Sequence, residues 1–296
     1  MVFRPPRLAP LLLGLGAVLV ALGFAGLGLY GLLAASISLW SFFLGFLAFL
    51  LLIAAGLAAW RTYACWGMCY HLNRDGLTIR WGYRKVVVPL SDIRELVASD
   101  RKPVKWSGGI HWYAYHVGLA DVESLGPTRF YATHLSPSRL VYVQAAGDRY
   151  AISLKNPKVF ARYLETCRGL GSLSRRKSGT DEGSLASLQM WSDPWALGLL
   201  VTAFMINLAL FAYLSHRFPS LSSYLSLHFA PTGQVDRIGE KLEIFKLPGM
   251  ALVVLGGNSL ASLVLHLRER YLALLALAVA LLVQVLFWVA AVEITI

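Results

Sequence analysis

The chain has 296 residues, 57% of them hydrophobic and only 15% charged, with a mean hydropathy of +0.59. A charged share well below the roughly 25% of soluble domains excludes an ordinary water-soluble protein and leaves an integral membrane protein. Lys and Arg outnumber Asp and Glu by 27 to 16, a balance suited to a solvated face beside anionic lipid, and no motif accompanies it that would point to nucleic acid.

No Asp, Glu, Lys or Arg occurs from Leu8 to Trp60. That run is more than twice the roughly 20 residues one helix needs to cross a bilayer, so residues 1–60 are expected to form two spans joined by a turn around Ser36 to Ser38. Arg4, Arg7 and the small residues Ala34-Ala35-Ser36 also fit a cleaved signal peptide, but the apolar stretch is too long for one. Ala17, Ala21 and Ala25 give the first span a small-residue stripe on which another helix packs closely.

From Arg61 to Met190 the chain is polar, with 19 basic and 10 acidic residues. Leu77, Ile79 and Trp81 alternate there with Thr78 and Arg80, the period of a half-buried strand. Asn73-Arg74-Asp75-Gly76 before them is turn chemistry, and Gly76 is free to take the positive φ of a hairpin with a bulge. Val86, Val88 and Leu90 continue the pattern, and Ser91-Asp92 turns the chain into Ile93 to Val97. After a loop, further strands are expected at Ile110 to Leu119, Arg129 to His134, Leu140 to Gln144 and Tyr150 to Leu154. Asn156-Pro157 reads as the start of a closing helix, with Phe160, Tyr163, Leu164 and Cys167 on one apolar face. Residues 61–168 therefore form a small barrel or sandwich of six or seven strands capped by one helix. The Gly-, Ser- and charge-rich stretch that follows, residues 169–190, is expected to be a flexible tether.

Residues 191–296 are expected to hold three more spans: Pro194 to Leu214, capped by Asp193, then Leu247 to Leu267 and Tyr271 to Val292, divided by Arg268-Glu269-Arg270. If the five spans alternate, Arg4, Arg7, Arg61, Arg175-Arg176-Lys177, Arg268 and Arg270 all fall on one side. The positive-inside rule makes that side the cytoplasm. The N-terminus and the sheet domain are then cytoplasmic, and the loop at 215–246 and the C-terminus face out from the membrane.

The stretch from Leu72 to Trp81, Val88-Pro89-Leu90 with Ile93, and Tyr150-Ala151-Ile152-Ser153-Leu154 with Pro157 and Phe160 resemble the bacterial pleckstrin-homology-like (PH-like) domains over about 105 residues. Strands first and one amphipathic helix last is the order of that family, whose members resemble scaffolds more than enzymes. A second resemblance lies in the outward loop, in Phe218-Pro219, His228-Phe229, Gly233-Gln234-Val235-Asp236-Arg237, Gly239, Lys241 and Pro248. It is similar to the small membrane domain of unknown function that begins SdpI-type immunity and signalling proteins. Val235 and Ile238 stand where that family has proline and tryptophan.

Candidate sites are few. Arg101, Lys102, Lys105 and Trp106 combine bases with an aromatic ring beside a membrane, a pattern suited to lipid contact at the cytoplasmic leaflet. His228, Gly233 and Asp236 suit recognition of a ligand or partner by the outward loop, or a tight turn satisfied by its own backbone. Asn207, Asn258 and Gln284 lie at one level of the last three spans and are expected to make interhelical hydrogen bonds. Cys65 and Cys69, spaced to share a helix face, read as small buried hydrophobes, since a structural zinc needs four ligands and no second pair is present. No phosphate loop, nucleophile elbow or metalloprotease motif occurs, so neither enzymatic activity, a cofactor nor a metal is expected. The sequence points to a scaffold, accessory subunit or membrane-coupled sensor, with membrane lipids and a membrane-protein partner as its contacts. A small-molecule or peptide transport or toxin-immunity component is the alternative.

Overall fold

The computed structural model describes residues 1–82, 84–98, 104–112, 115–123, 125–171, 179–181, 190, 193–229 and 235–296. Among them, five helices are long and apolar enough to cross a membrane by length and composition. The chain divides into two compact units, residues 1–22 with 52–183, and residues 23–51 with 184–296.

The first unit starts with strand β1 (Val2–Phe3), followed by α1 (Leu8–Ala34) up to Leu22. It resumes in α2 (Leu39–Gly67) at Leu52 and continues into β2 (Cys69–Asn73), β3 (Gly76–Trp81) and β4 (Arg84–Pro89). Asn73 Oδ1 accepts from the backbone N–H of Asp75 and of Gly76, both at 3.1 Å, and so closes the turn between β2 and β3. The register puts Asn73 opposite Gly76, a two-residue turn without the expected bulge. Gly76 has φ +146°, and a Cβ there would stand 2.2 Å from Val88 O, so glycine is required. Tyr70, Leu72, Leu77, Ile79, Val86 and Val88 alternate onto one buried face.

The remaining strands are β5 (Ile93–Ala98), β6 (Val104–Trp112), β7 (Tyr115–Val122), β8 (Gly126–Ala132), β9 (Leu140–Ala145) and β10 (Arg149–Ser153). They are followed by α3 (Pro157–Leu170) and β11 (Gly179–Asp181). One sheet has the order β1-β2-β3-β4-β11 and the other β5-β9-β10-β8-β7-β6. Phe160, Leu164 and Cys167 of α3 complete the core shared by the two sheets. A second core forms on the six-stranded sheet around Phe130, Leu140 and Tyr142. Val97 of β5 and Val104 and Trp106 of β6 pack onto it, so this sheet curls until both its edges serve one cluster.

Several expectations are corrected here. Ile110 to Leu119 is not one strand: Trp112 pairs with Tyr115, and the chain reverses between β6 and β7. The loop expected at 101–106 is strand from Val104 onward. α2 runs to Gly67, past the boundary expected at Trp60, and β2 begins at Cys69, so Cys65 and Cys69 share no helix face. The expected tether contributes β11, whose Gly179 stands opposite Val87 of β4; residues 172–178 and 182–189 lie outside the described residues.

In the second unit, Ser38 and Ser41 exchange hydrogen bonds from backbone N–H to side-chain oxygen at 2.9 and 3.3 Å where α1 turns into α2. Its other helices are α4 (Pro194–Arg217), α5 (Lys246–Leu265) and α6 (Arg270–Thr295). Asp193 caps α4 by accepting from Trp195 N at 3.1 Å, and its oxygens accept from Arg270 Nε at 2.6 Å and Nη2 at 3.1 Å. The Arg270 hydrogen bonds hold the Asp193 carboxyl down at about 2. Strands β12 (Tyr224–Phe229) and β13 (Val235–Glu240) form an antiparallel pair, and Leu225 joins the core of Leu210, Leu214, Ile244 and Ala291.

Candidate functional site

The most developed site in the first unit lies where α1 and α2 meet the sheet domain. Pro10, Leu13, Gly14 and Ala17 occupy one face of α1, at the i, i+3, i+4, i+7 spacing of a helical stripe. They face Ala54, Ala58, Arg61 and Thr62 of α2 across a cavity of about 290 Å³. Gly14 makes the close crossing possible, because a Cβ there would stand 2.1 Å from Thr62 Oγ1. Thr62 Oγ1 is turned back onto its own helix and donates to Ala58 O at 2.7 Å. Tyr115, the first residue of β7, lines the same cavity beside Cys65.

Two ties fasten the start of α1 to the sheet domain, and a third fastens it to the end of α2. Val2 and Phe3 pair with His71 and Tyr70, and the Phe3 ring meets Phe160 edge-on at 5.0 Å. Thr133 Oγ1 donates to Pro6 O at 2.6 Å, and Arg7 Nη1 donates to Trp66 O. Tyr115 is buried and its hydroxyl reaches no hydrogen-bond partner among the described residues; the same holds for Trp81 Nε1. Burial pushes the Tyr115 hydroxyl pKa up.

The residues singled out in the sequence are distributed as follows. Arg101 and Lys102 lie outside the described residues. Lys105 is exposed on β6, whereas the half-buried Trp106 ring packs against Phe130 at 4.9 Å, His111 at 4.6 Å and His116 at 5.7 Å. Trp106 therefore closes the second core. His228 stands opposite Arg237 in the β12–β13 register, Asp236 lies in β13, and Gly233 is outside the described residues. Asn207 Nδ2 donates to Gln284 Oε1 at 2.9 Å and to Pro248 O at 3.0 Å, and Gln284 Nε2 donates to Ala251 O at 2.8 Å. These bonds join α4, α5 and α6. Asn258, expected to join them, instead donates to Val254 O at 3.0 Å, one turn back on its own helix.

Sequence reasoning passed over Gly14 and Thr62, weighed Arg61 only as a border charge and read Tyr115 only as a sheet or membrane-facing ring. Nothing local marks them, because the cavity joins positions far apart in the chain. The alanine stripe containing Ala17 was the one available signal.

The histidine beside Trp106 sets a pH dependence. Burial, with His111 and His134 adding to it, holds His116 down at about 4, against about 6.5 for a free imidazole. The unfolded chain takes up a proton through that window and the folded chain does not. Stability is therefore full above about pH 6.5 and is lost as pH falls towards 4. In detergent, the melting temperature of the chain is expected to fall over this window, and less steeply for His116→Phe. Parallel slopes for the two proteins would remove His116 as the cause.

Residues 68–167, about a third of the chain, match the family model of the bacterial PH domain. No curated protein and no solved structure matches the chain. The chain therefore combines a sheet domain that matches the bacterial PH domain with helices long and apolar enough to cross a membrane.

Proposed function

We propose that the chain is a non-enzymatic bacterial membrane protein, a scaffold, accessory subunit or membrane-coupled sensor whose PH-like domain makes protein or lipid contacts. One observation carries the reading: the sheet domain and the adjoining parts of α1 and α2 form a single compact unit, fastened by β1, Pro6 and Arg7. A domain held this way cannot swing free of its helices. Binding on its surface therefore reaches the membrane hairpin without passing through a loose linker. The basic residues Arg4, Arg7, Arg61, Arg268 and Arg270 favour a cytoplasmic domain and N-terminus in the inner membrane, with an extracytoplasmic C-terminus.

Affinity purification of the full chain in mild detergent tests the reading. A membrane-protein partner in fixed stoichiometry is the expected result. A lone monomer whose melting temperature rises with an added small molecule or peptide would overturn it in favour of a transport or immunity component. The β12–β13 hairpin with His228 and Asp236 would then be the recognition element.

A further inference from the structure

The geometry points to the slot between α1 and α2 as a binding site for one phospholipid of the surrounding bilayer. Its acyl chain lies among Leu13, Ala17, Ala54 and Ala58, and its anionic headgroup is held by Arg61. This inference rests on the proposed membrane placement of α1 and α2.

The polar end of the slot is built for a ligand. Arg61 lines this end, is exposed and supplies a fork of donors that suits a phosphate.

The other end is built for hydrocarbon. From Arg61 to Ala54 the lining of α2 runs seven residues, about 10 Å at the rise of an α-helix, and only apolar side chains of both helices line that end. Level also fits, because Trp60, Tyr63 and Trp66, at 45%, 66% and 64% exposure, surround Arg61 on α2 with the rings that seat at headgroups. A chain entering at Arg61 and running towards Ala54 follows the path of a bilayer lipid.

Size decides against a protein occupant. A helix needs about 10 Å of width, and the crossing at Gly14 and Thr62 leaves no such gap. A cavity of about 290 Å³ takes part of one acyl chain.

The test uses the full chain reconstituted in phosphatidylcholine vesicles containing phosphatidylglycerol, then extracted in mild detergent and weighed by native mass spectrometry. One phosphatidylglycerol is expected to remain with each chain. Ala58→Leu fills the slot and abolishes retention of either lipid. Arg61→Gln keeps lipid bound but lowers the preference for phosphatidylglycerol about fivefold, the factor that corresponds to about 1 kcal/mol for one cation at a membrane surface. Equal retention by wild type and Ala58→Leu overturns the site, as does a mass of two chains without lipid. If the chain fails to float with the vesicles, the membrane placement itself is overturned, which separates the two failures.

Discussion

Tyr70→Ala is expected to lower the stability of the sheet domain by about 4 kcal/mol, the range measured when a large aromatic side chain is deleted from a core. Tyr70 is fully buried and belongs to the cluster that joins both sheets and α3. Its hydroxyl donates to Tyr131 O at 2.7 Å and accepts from Ser153 N at 3.3 Å. One side chain of β2 thus satisfies backbone groups at the ends of β8 and β10 on the opposite sheet. Tyr70→Phe separates the two contributions. It keeps the ring and loses both bonds, and is expected to cost about 1–3 kcal/mol, the penalty for leaving buried polar groups unpaired. Denaturant unfolding of the full chain in detergent, followed by near-ultraviolet circular dichroism, reads both values. A Tyr70→Phe variant as stable as wild type would show that the inter-sheet bonds contribute nothing.

Gly118→Val is expected to be comparably severe, about 3 kcal/mol at the upper end of overpacking effects. Gly109 and Gly118 face each other across β6 and β7. A Cβ on Gly118 would stand 2.2 Å from Gly108 O and 2.7 Å from Gly109 Cα, and Gly109 itself has φ +92°. These are backbone atoms, so no rotamer change relieves the clash. The two strands must part, and Trp106 then leaves the core that it closes with Phe130. Gly147→Ala is the matched control: its added methyl meets nothing within 4 Å, so a change within about 0.5 kcal/mol is expected, as for surface substitutions generally. Protease resistance of the sheet domain checks the pair. Equal resistance of the two variants would refute the account of the glycine pairing.

What the sequence made legible was whatever repeats with a short period. The five long apolar helices stand out by length alone, and Leu77, Ile79, Val86 and Val88 alternate cleanly onto the buried face that the structure gives them. The hairpin of β6 and β7 was hidden, because Tyr113-Ala114 carries no turn chemistry and Trp112 to Tyr115 form an unbroken apolar run across the reversal. β1 and β11 were hidden because two or three residues cannot show a period. Asn258 shows a different limit. Counting residues gives the depth of an amide within a span but not which way it points, so three amides at one level yielded a bonded pair and one that turned back on its own helix. The cavity was the least legible feature, since Gly14, Arg61 and Tyr115 meet only after the sheet domain has closed on the helices.

The pairing of β1 with β2 has a consequence for the order of assembly. β1 leaves the ribosome before α1, and its partner emerges only after α2. Closing a loop of that length by chance carries an entropic cost. Inserting α1 and α2 as a hairpin brings the two ends of the loop together beforehand, so membrane insertion acts as a template for the first edge of the sheet. Until then the β2 edge is open to pairing with another chain, and a chain stalled before insertion should be the aggregation-prone species.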